Sequence, residues 1–332
     1  MAMQISGVTI QGGMNILPAG GSPSPTPSFS FQGSNFGYIM GGYVYPGPSS
    51  YATNAIQKYS YASDGNGSDS GDLMQETRYA GGGNSSSSSG YLAGARTSAT
   101  TISNKIEKFP FVSGGNTTSS ANLTNGGSVH VGYSSSSDGY TYGGETGPNG
   151  ANMLKTDKFS FASDTDSTDL GNLNSVNYFG GCTSSDSGFI MGGRFPLSTY
   201  LVDITKFAFA SDTTLSDHAD LNTGVDNNSG VNSDVNGYSI GGAFPASPNT
   251  HSNIDKFPFA SQTNATEVGE VDSVTYGISS SSSTQSGYTA GGNTSGAGPN
   301  QKIRKFPFAS DGNSTDVGDL ATGTGFGASA QY

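Results

Sequence analysis

The chain has 332 residues and a formal net charge of −12, with 13 Lys and Arg against 25 Asp and Glu. Its one cysteine, Cys182, excludes an intramolecular disulfide framework and any multi-cysteine zinc or iron–sulfur site. The acidic balance excludes a phosphate-backbone partner, and no apolar run approaches the roughly 18 residues that span a bilayer.

Only 11% of residues are charged and Gly fills 51 positions, but 17 Tyr and 18 Phe are too many aromatics for a solvated coil. Short strands and tight turns are expected instead. No basic region followed by an apolar stretch opens the chain, so a secretory leader is not expected.

Residues 1–57 contain no Asp, Glu, Lys, Arg or His. Ile5, Val8, Ile10, Met14, Ile16 and Leu17 lie on a Gly-punctuated background, and Pro18 to Pro27 form a Pro/Gly/Ser linker of the extended, semi-rigid sort. Residues 1–27 are expected to be a docking arm, an uncharged apolar strand pair that adds to a partner's sheet. The remainder, 28–332, is expected to be one repeat domain.

A Lys-aromatic-X-aromatic element begins at Lys58, Lys108, Lys158, Lys206, Lys256 and Lys305. An aromatic-X-X-Gly-Gly runs in step with it at Gly41-Gly42, Gly143-Gly144, Gly192-Gly193, Gly241-Gly242 and Gly291-Gly292, with Gly94-Ala95 in the remaining copy. An aliphatic closes each unit at Leu73, Leu123, Leu173, Leu221, Val271 and Leu320. Markers in phase at a period near 50 indicate a repeat architecture. Each period reads as four short strands. Aromatics at i and i+2, such as Phe257 and Phe259, put both rings on one face of a strand. The Ala-Ser-Asp-Gly-Asn stretches carry hairpin-turn chemistry. Pro110, Pro258 and Pro307 call for a bulge or a strand end. The Ser runs 85–89, 134–137 and 279–283 read as solvated turns between first and second strands. The pattern begins at a second strand, residues 37–42, and ends on a first strand, residues 324–330. That division predicts closure of a ring by pairing the two ends.

The Gly-Tyr-Thr-Ala-Gly-Gly of residues 287–292, followed by Ile303-Arg304-Lys305-Phe306 and Val317-Gly318-Asp319-Leu320, resembles the kelch-type β-propeller. The resemblance covers residues 34–332. It implies an all-β fold of six four-stranded blades, closed by the C-terminal strand against the N-terminal blade, with the N-terminal arm added. The family's usual Trp is absent, because the chain has none. The uncharged arm and the Asp-Lys-Phe-Pro-Phe-Ala-Ser stretch, Asp255 to Ser261, resemble kelch-repeat virion structural proteins of marine tailed bacteriophages, of the appendage or fibre type. That resemblance implies a multi-copy place on the particle surface, other virion proteins as partners of residues 1–27, and a host-surface glycan or protein as ligand; the acidic charge and the short apolar runs leave no nucleic acid and no membrane insertion expected. The alternative is a free carbohydrate-binding propeller.

No enzyme is expected. His130, His218 and His251 fall at non-equivalent positions, and the glutamates form no catalytic pair. No cofactor is expected either. Asp164, Asp166 and Asp169 are the candidate Ca2+ ligands, set against the simpler account that Asp suits turns. Binding specificity is expected in the variable segments after each Gly pair. There Tyr43, Tyr45, Tyr51, Arg194, Phe195, Tyr200 and Phe244 are the candidate contacts, suited to sugar stacking or protein docking. Capping the protein's own core is the competing role for these rings.

Overall fold

The Phe-X-Phe repeat places two rings side by side on each third strand, and a Gly before the aromatic on each second strand leaves room for them. A Cβ at Gly237 would lie 2.4 Å from the Phe257 ring, and one at Gly139 would lie 2.4 Å from Phe159. Strand pairs of this composition build the computed structural model, which describes residues 32–44, 51–97, 101–128, 131–145, 155–172, 178–195, 198–212, 214–244, 251–273, 275–294 and 298–332. The docking arm and Leu173 lie outside the described residues, as do His130 and Tyr45.

Six four-stranded antiparallel sheets are present among the described residues, with one small three-stranded sheet. Sheet 1 orders Ala328–Gln331, Phe36–Val44, Tyr51–Ser60 and Ser68–Thr77. Its innermost strand comes from the far end of the sequence, pairing Met40 with Ala328 and Gly37 with Gln331. Sheets 2 to 6 each use four consecutive major strands. Their inner strands are Tyr79–Ser85, Val131–Ser134, Gly180–Thr183, Ser229–Asn232 and Ser279–Ser282. The small sheet joins Thr275–Tyr276, Asn293–Thr294 and Gly298–Pro299 beside sheet 6. Pro110, Pro258 and Pro307 each end a third strand, where a missing N–H breaks no ladder.

Three kinds of contact recur between successive sheets. The aromatic of each second strand is clasped by the Phe-X-Phe pair of the following sheet. The second ring of that pair lies 5.2 Å away for Tyr38–Phe111, 5.0 Å for Tyr91–Phe161 and 4.9 Å for Tyr140–Phe209. It lies 4.8 Å away for Phe189–Phe259 and 5.0 Å for Tyr238–Phe308. Tyr288 of sheet 6 meets Tyr61 of sheet 1 in the same way, at 4.7 Å. Such ring pairs contribute about 0.5–1.5 kcal/mol each beyond their burial.

The second fastener is ionic. Lys108, Lys158, Lys256 and Lys305 each reach the turn aspartate of the next sheet: Asp164 at 2.6 Å, Asp212 at 2.9 Å, Asp311 at 2.5 Å and Asp64 at 3.0 Å. The equivalent turn positions facing Lys58 and Lys206 are Gly114 and Gln262, and these lysines lie over Phe36 and Phe189 instead.

The third fastener is the buried polar residue immediately before the lysine. Glu107 accepts from the N–H of Met74 at 2.7 Å, Asp157 from that of Thr124 at 3.0 Å, and Asp255 from Asn222 Nδ2 at 3.0 Å. Gln57 accepts from Thr322 N at 2.9 Å. In sheet 6 the polarity is inverted, and the buried Arg304 donates to Asp272.

The outer edges are covered as well. Turn backbone of one sheet donates to the outer strand of its predecessor, as in Gly65 N to Val317 O at 2.7 Å and Gly312 N to Val268 O at 2.8 Å. That contact occupies strand edges that would otherwise template association.

One sequence expectation changes here. The Ser279–Ser283 run is not a solvated turn, because Ser279–Ser282 is the inner strand of sheet 6 and Ser279, Ser281 and Ser282 are buried. Inner strands of neighbouring sheets crowd one another, and a Cβ at Gly132 would lie 2.3 Å from Gly83 O. Small side chains are therefore required, and serine hydroxyls also supply acceptors. Asn232 N donates to Ser282 Oγ, Ser282 N to Gln331 Oε1, Gln331 N to Ser85 Oγ, and Ser85 N to Ser134 Oγ, all at 2.7–3.0 Å.

The three aspartates named as calcium candidates each accept hydrogen bonds from within the fold. Asp164 accepts from Lys108 and Ser120, Asp166 from the backbone N–H of Asn122, and Asp169 from Lys155 and the N–H of Gly171. Asn66, Asn116, Asn264 and Asn313 make the Asp166 contact in other sheets with uncharged amides. Among the described residues no group of three or more acidic, His or Cys side chains is placed to hold a metal. Hydrogen bonding from Lys108 pulls the Asp164 pKa below the ordinary range, and Lys155 does the same to Asp169.

Candidate functional site

Beyond each Gly pair one residue continues the second strand. In register, these residues are Tyr43, Arg96, Glu145, Arg194, Ala243 and Asn293. The Gly pair makes the turn: Gly241 has φ +62 and Gly242 +111, and Cβ atoms there would lie 2.6 Å from Thr275 O and 2.7 Å from Asp226 O. The following residue then pairs with the segment that leads into its own inner strand, as in Tyr43 with Gly325, Glu145 with Ser128 and Ala243 with Asp226. The fold thus gathers non-repeating side chains at the end of the inner strands where those strands begin.

Two linked groups result. Tyr43 stacks on Tyr79 with centroids 6.4 Å apart, Tyr79 meets Phe326 edge-on at 5.1 Å, and Phe326 meets Tyr276 at 6.0 Å. The Arg78 guanidinium lies 5.8 Å from the Tyr43 ring and 5.6 Å from Tyr79, and Arg96 is also 5.6 Å from Tyr79. Arg96 continues into the second group through Glu145, 3.6 Å away. Tyr178 donates its hydroxyl to the same carboxylate. Arg194 lies over the rings of Tyr178 and Tyr200 at 5.5 and 4.7 Å and pairs with Asp226. Burial, reinforced by Glu145, pushes the Tyr178 phenol pKa upward. Asp226 is fully buried, and that burial raises its carboxyl against the opposing pull of Arg194.

The sequence candidates divide accordingly. Tyr43, Arg194 and Tyr200 join this network. Phe195 stands beside it, 48% exposed. Phe244 packs against His251 at 5.5 Å and against the core. Residue 51 opens a strand of sheet 1, with its side chain outside the described part. Arg78, Tyr79, Arg96, Glu145, Tyr178, Asp226, Tyr276 and Phe326 complete the network without having been singled out. For Arg96 and Glu145 the signal was the phase of the residue after the Gly pair, visible when the repeats are compared position by position; the other six lie in the segments that lead into the inner strands.

The other ionisable candidates stand apart from it. His218 is buried against Phe189 and Phe257, with Nε2 3.0 Å from Pro258 O. Burial lowers the His251 pKa. Cys182 is buried in the inner strand of sheet 4, and its thiol pKa is pushed up by that burial.

No protein-family model matches the chain, and no curated protein does. Among solved structures it is similar to YjhT, with a TM-score of 0.67 over 86% of this chain and 99% of that one, at 12% identity. The repeated four-stranded sheets and this likeness define the fold as a kelch-like β-propeller fold.

Proposed function

We propose that the chain is a six-bladed propeller closed through Ala328–Gln331, and that it works as a non-catalytic display protein of a tailed-phage particle. It is anchored by residues 1–27 and presents the arginine–tyrosine end to a host surface. The observation that carries this reading is the division of labour among polar residues. Those that recur in phase are engaged in joining one sheet to the next, while the non-repeating ones gather at one end.

The direction of the chain supports the same polarity. Gln32 donates to Asn232 O at 3.1 Å and Gly33 pairs with Ser283, both where inner strands finish. The first described residues, Gln32 and Gly33, therefore lie at the end of the inner strands away from Tyr43 and Arg96. The lack of charge in residues 1–57 and the resemblance to phage repeat proteins supply the particle context.

Deleting residues 1–27 is expected to leave the thermal melt of the propeller unchanged and to abolish incorporation into particles. Incorporation of the truncated protein at the full-length level overturns the anchoring role. A free glycan-binding propeller is the second reading, favoured by the exposed Phe195 beside stacked Tyr200 and Arg194. It requires glycan binding that does not depend on the arm.

A further inference from the structure

Consecutive sheets meet because the chain delivers them side by side; Asn232 and Ser282, on neighbouring inner strands, are 50 residues apart. Sheets 6 and 1 meet across a far longer stretch, with Tyr59 and Ser281 222 residues apart. Before sheets 4, 5 and 6 one packing pattern recurs, in which a phenylalanine lies beside an inner-strand side chain of the preceding sheet. A Cβ at Gly188 would lie 2.4 Å from Phe207 and 3.0 Å from Tyr133, and one at Gly237 would lie 2.4 Å from Phe257 and 2.7 Å from Cys182. At Gly287 the neighbours are Phe306 at 2.5 Å and Val231 at 2.8 Å. At Gly37 they are Tyr59 at 2.5 Å and Ser281 Oγ at 2.6 Å. The seam between sheets 6 and 1 thus keeps the packing but changes the chemistry. Sheet 1 carries Tyr59 and Tyr61 where the other five sheets carry Phe at both places. Both hydroxyls lie 2.7 Å from Ser281 Oγ, with Tyr61 as donor, and all three side chains are buried. Gln57 stands where sheets 2, 3 and 5 carry an acid. Its amide accepts from Thr322 N at 2.9 Å and donates to Thr322 O and Thr324 Oγ1 at 3.1 Å.

We propose that Tyr59, Tyr61, Ser281 and Gln57 form a key that admits sheet 1 to sheet 6 and to no other sheet, of this chain or of a second copy. In a repeat protein the sheet faces resemble one another, so each competes as a partner. Set against Val231 or Cys182, the two phenols would be buried with nothing to bond, and a phenylalanine pair set on Ser281 would strand its hydroxyl. An acid at position 57 accepts from Thr322 N but cannot return a hydrogen bond to Thr322 O. Only the native pairing satisfies all of these groups. Wrong docking also leaves Phe36–Val44 without Ala328–Gln331, and such an open edge recruits another chain. Marking one junction against its look-alikes is how a repeated pattern is made to specify a single arrangement. The proposal rests on ring closure between sheets 6 and 1, which removal of residues 328–332 tests on its own.

The test is refolding of the full-length protein from urea, with the monomer fraction read by size exclusion and light scattering. Tyr59→Phe, Tyr61→Phe and Ser281→Val together give the seam the side chains of the junction between sheets 5 and 6. This triple variant is expected to keep a cooperative melt and to return about twofold less monomer than the unaltered protein, with the deficit growing as protein concentration rises. Phe308→Leu weakens a different junction without touching the key, and it is expected to refold to monomer as completely as the unaltered protein. Equal monomer recovery by the triple variant overturns the proposal. An equal deficit in Phe308→Leu also overturns it, because lost stability then accounts for the effect. If the triple variant does not fold, Tyr61→Phe decides the matter, since it leaves Ser281 bonded to Tyr59; a lowered monomer fraction supports the key and an unchanged one overturns it. An unchanged melt after removal of residues 328–332 counts against closure itself, so the two failures are told apart.

Discussion

Asp157 and Asp255 sit immediately before the repeat lysine, buried between sheets, where each holds the turn of the preceding sheet. Burial raises both carboxyl pKa values above the ordinary range, against the hydrogen bonds from Thr124 and Asn222. A folded-state pKa above the unfolded one means that the folded protein holds the proton more tightly. These groups therefore contribute stability at low pH and lose it as pH rises from the ordinary aspartate value through the raised one. Asp255→Asn removes that loss, and Gln57 already places an uncharged amide at this position in sheet 1. The stability of the variant relative to the unaltered protein is expected to be greater at pH 7 than at pH 3, measured by urea unfolding. A pH-independent difference means that Asp255 ionises as it does in the unfolded chain. The surface lysine pairs are weaker by nature, because both partners are partly solvated. Lys256→Met is expected to cost about 0–1 kcal/mol by the same measurement.

At the scale of the strand, Gly-aromatic on the second strand and aromatic-X-aromatic on the third form one device. The glycine makes room for the first ring of its own sheet, and the aromatic beside it is clasped by the next sheet. Gly237→Ala forces a methyl group against Phe257 at 2.4 Å and is expected to destabilise by about 1–3 kcal/mol. Phe257→Leu added to it should recover part of that loss in a thermal melt. Additive losses would place the damage elsewhere than this contact. Much of the strand pattern was readable beforehand, because alternation and turn chemistry are local properties of the chain. The paired rings, the Gly pairs and the strand-ending prolines all follow from that. The Ser279–Ser283 run was misread for the opposite reason. A serine run looks solvated unless the crowding between inner strands is known, and that crowding involves residues about 50 positions away. The contact of Asp166 was out of reach of the sequence for the same reason, since its acceptor role is set by Asn122 on the preceding sheet.

For the whole molecule, sheet 1 is the one assembled from both ends of the described chain. Removing residues 328–332 strips the inner strand from Phe36–Val44 and takes Gln331 out of the hydrogen bonds between Ser282 and Ser85. The exposed edge is expected to drive association, and the cooperative thermal transition is expected to broaden or vanish, as followed by size-exclusion chromatography and calorimetry. A truncated protein with an unchanged melt refutes the proposed closure. By itself the sequence determined the repeat, its strand content and the places where the chain turns, because periodicity and turn chemistry act over a few residues. Tertiary structure alone decided which lysine meets which aspartate, why serines line the inner strands, and that Arg78, Arg96, Glu145 and Arg194 belong to one network. Those outcomes depend on side chains from successive sheets meeting at short range, and no local property of the chain encodes that distance.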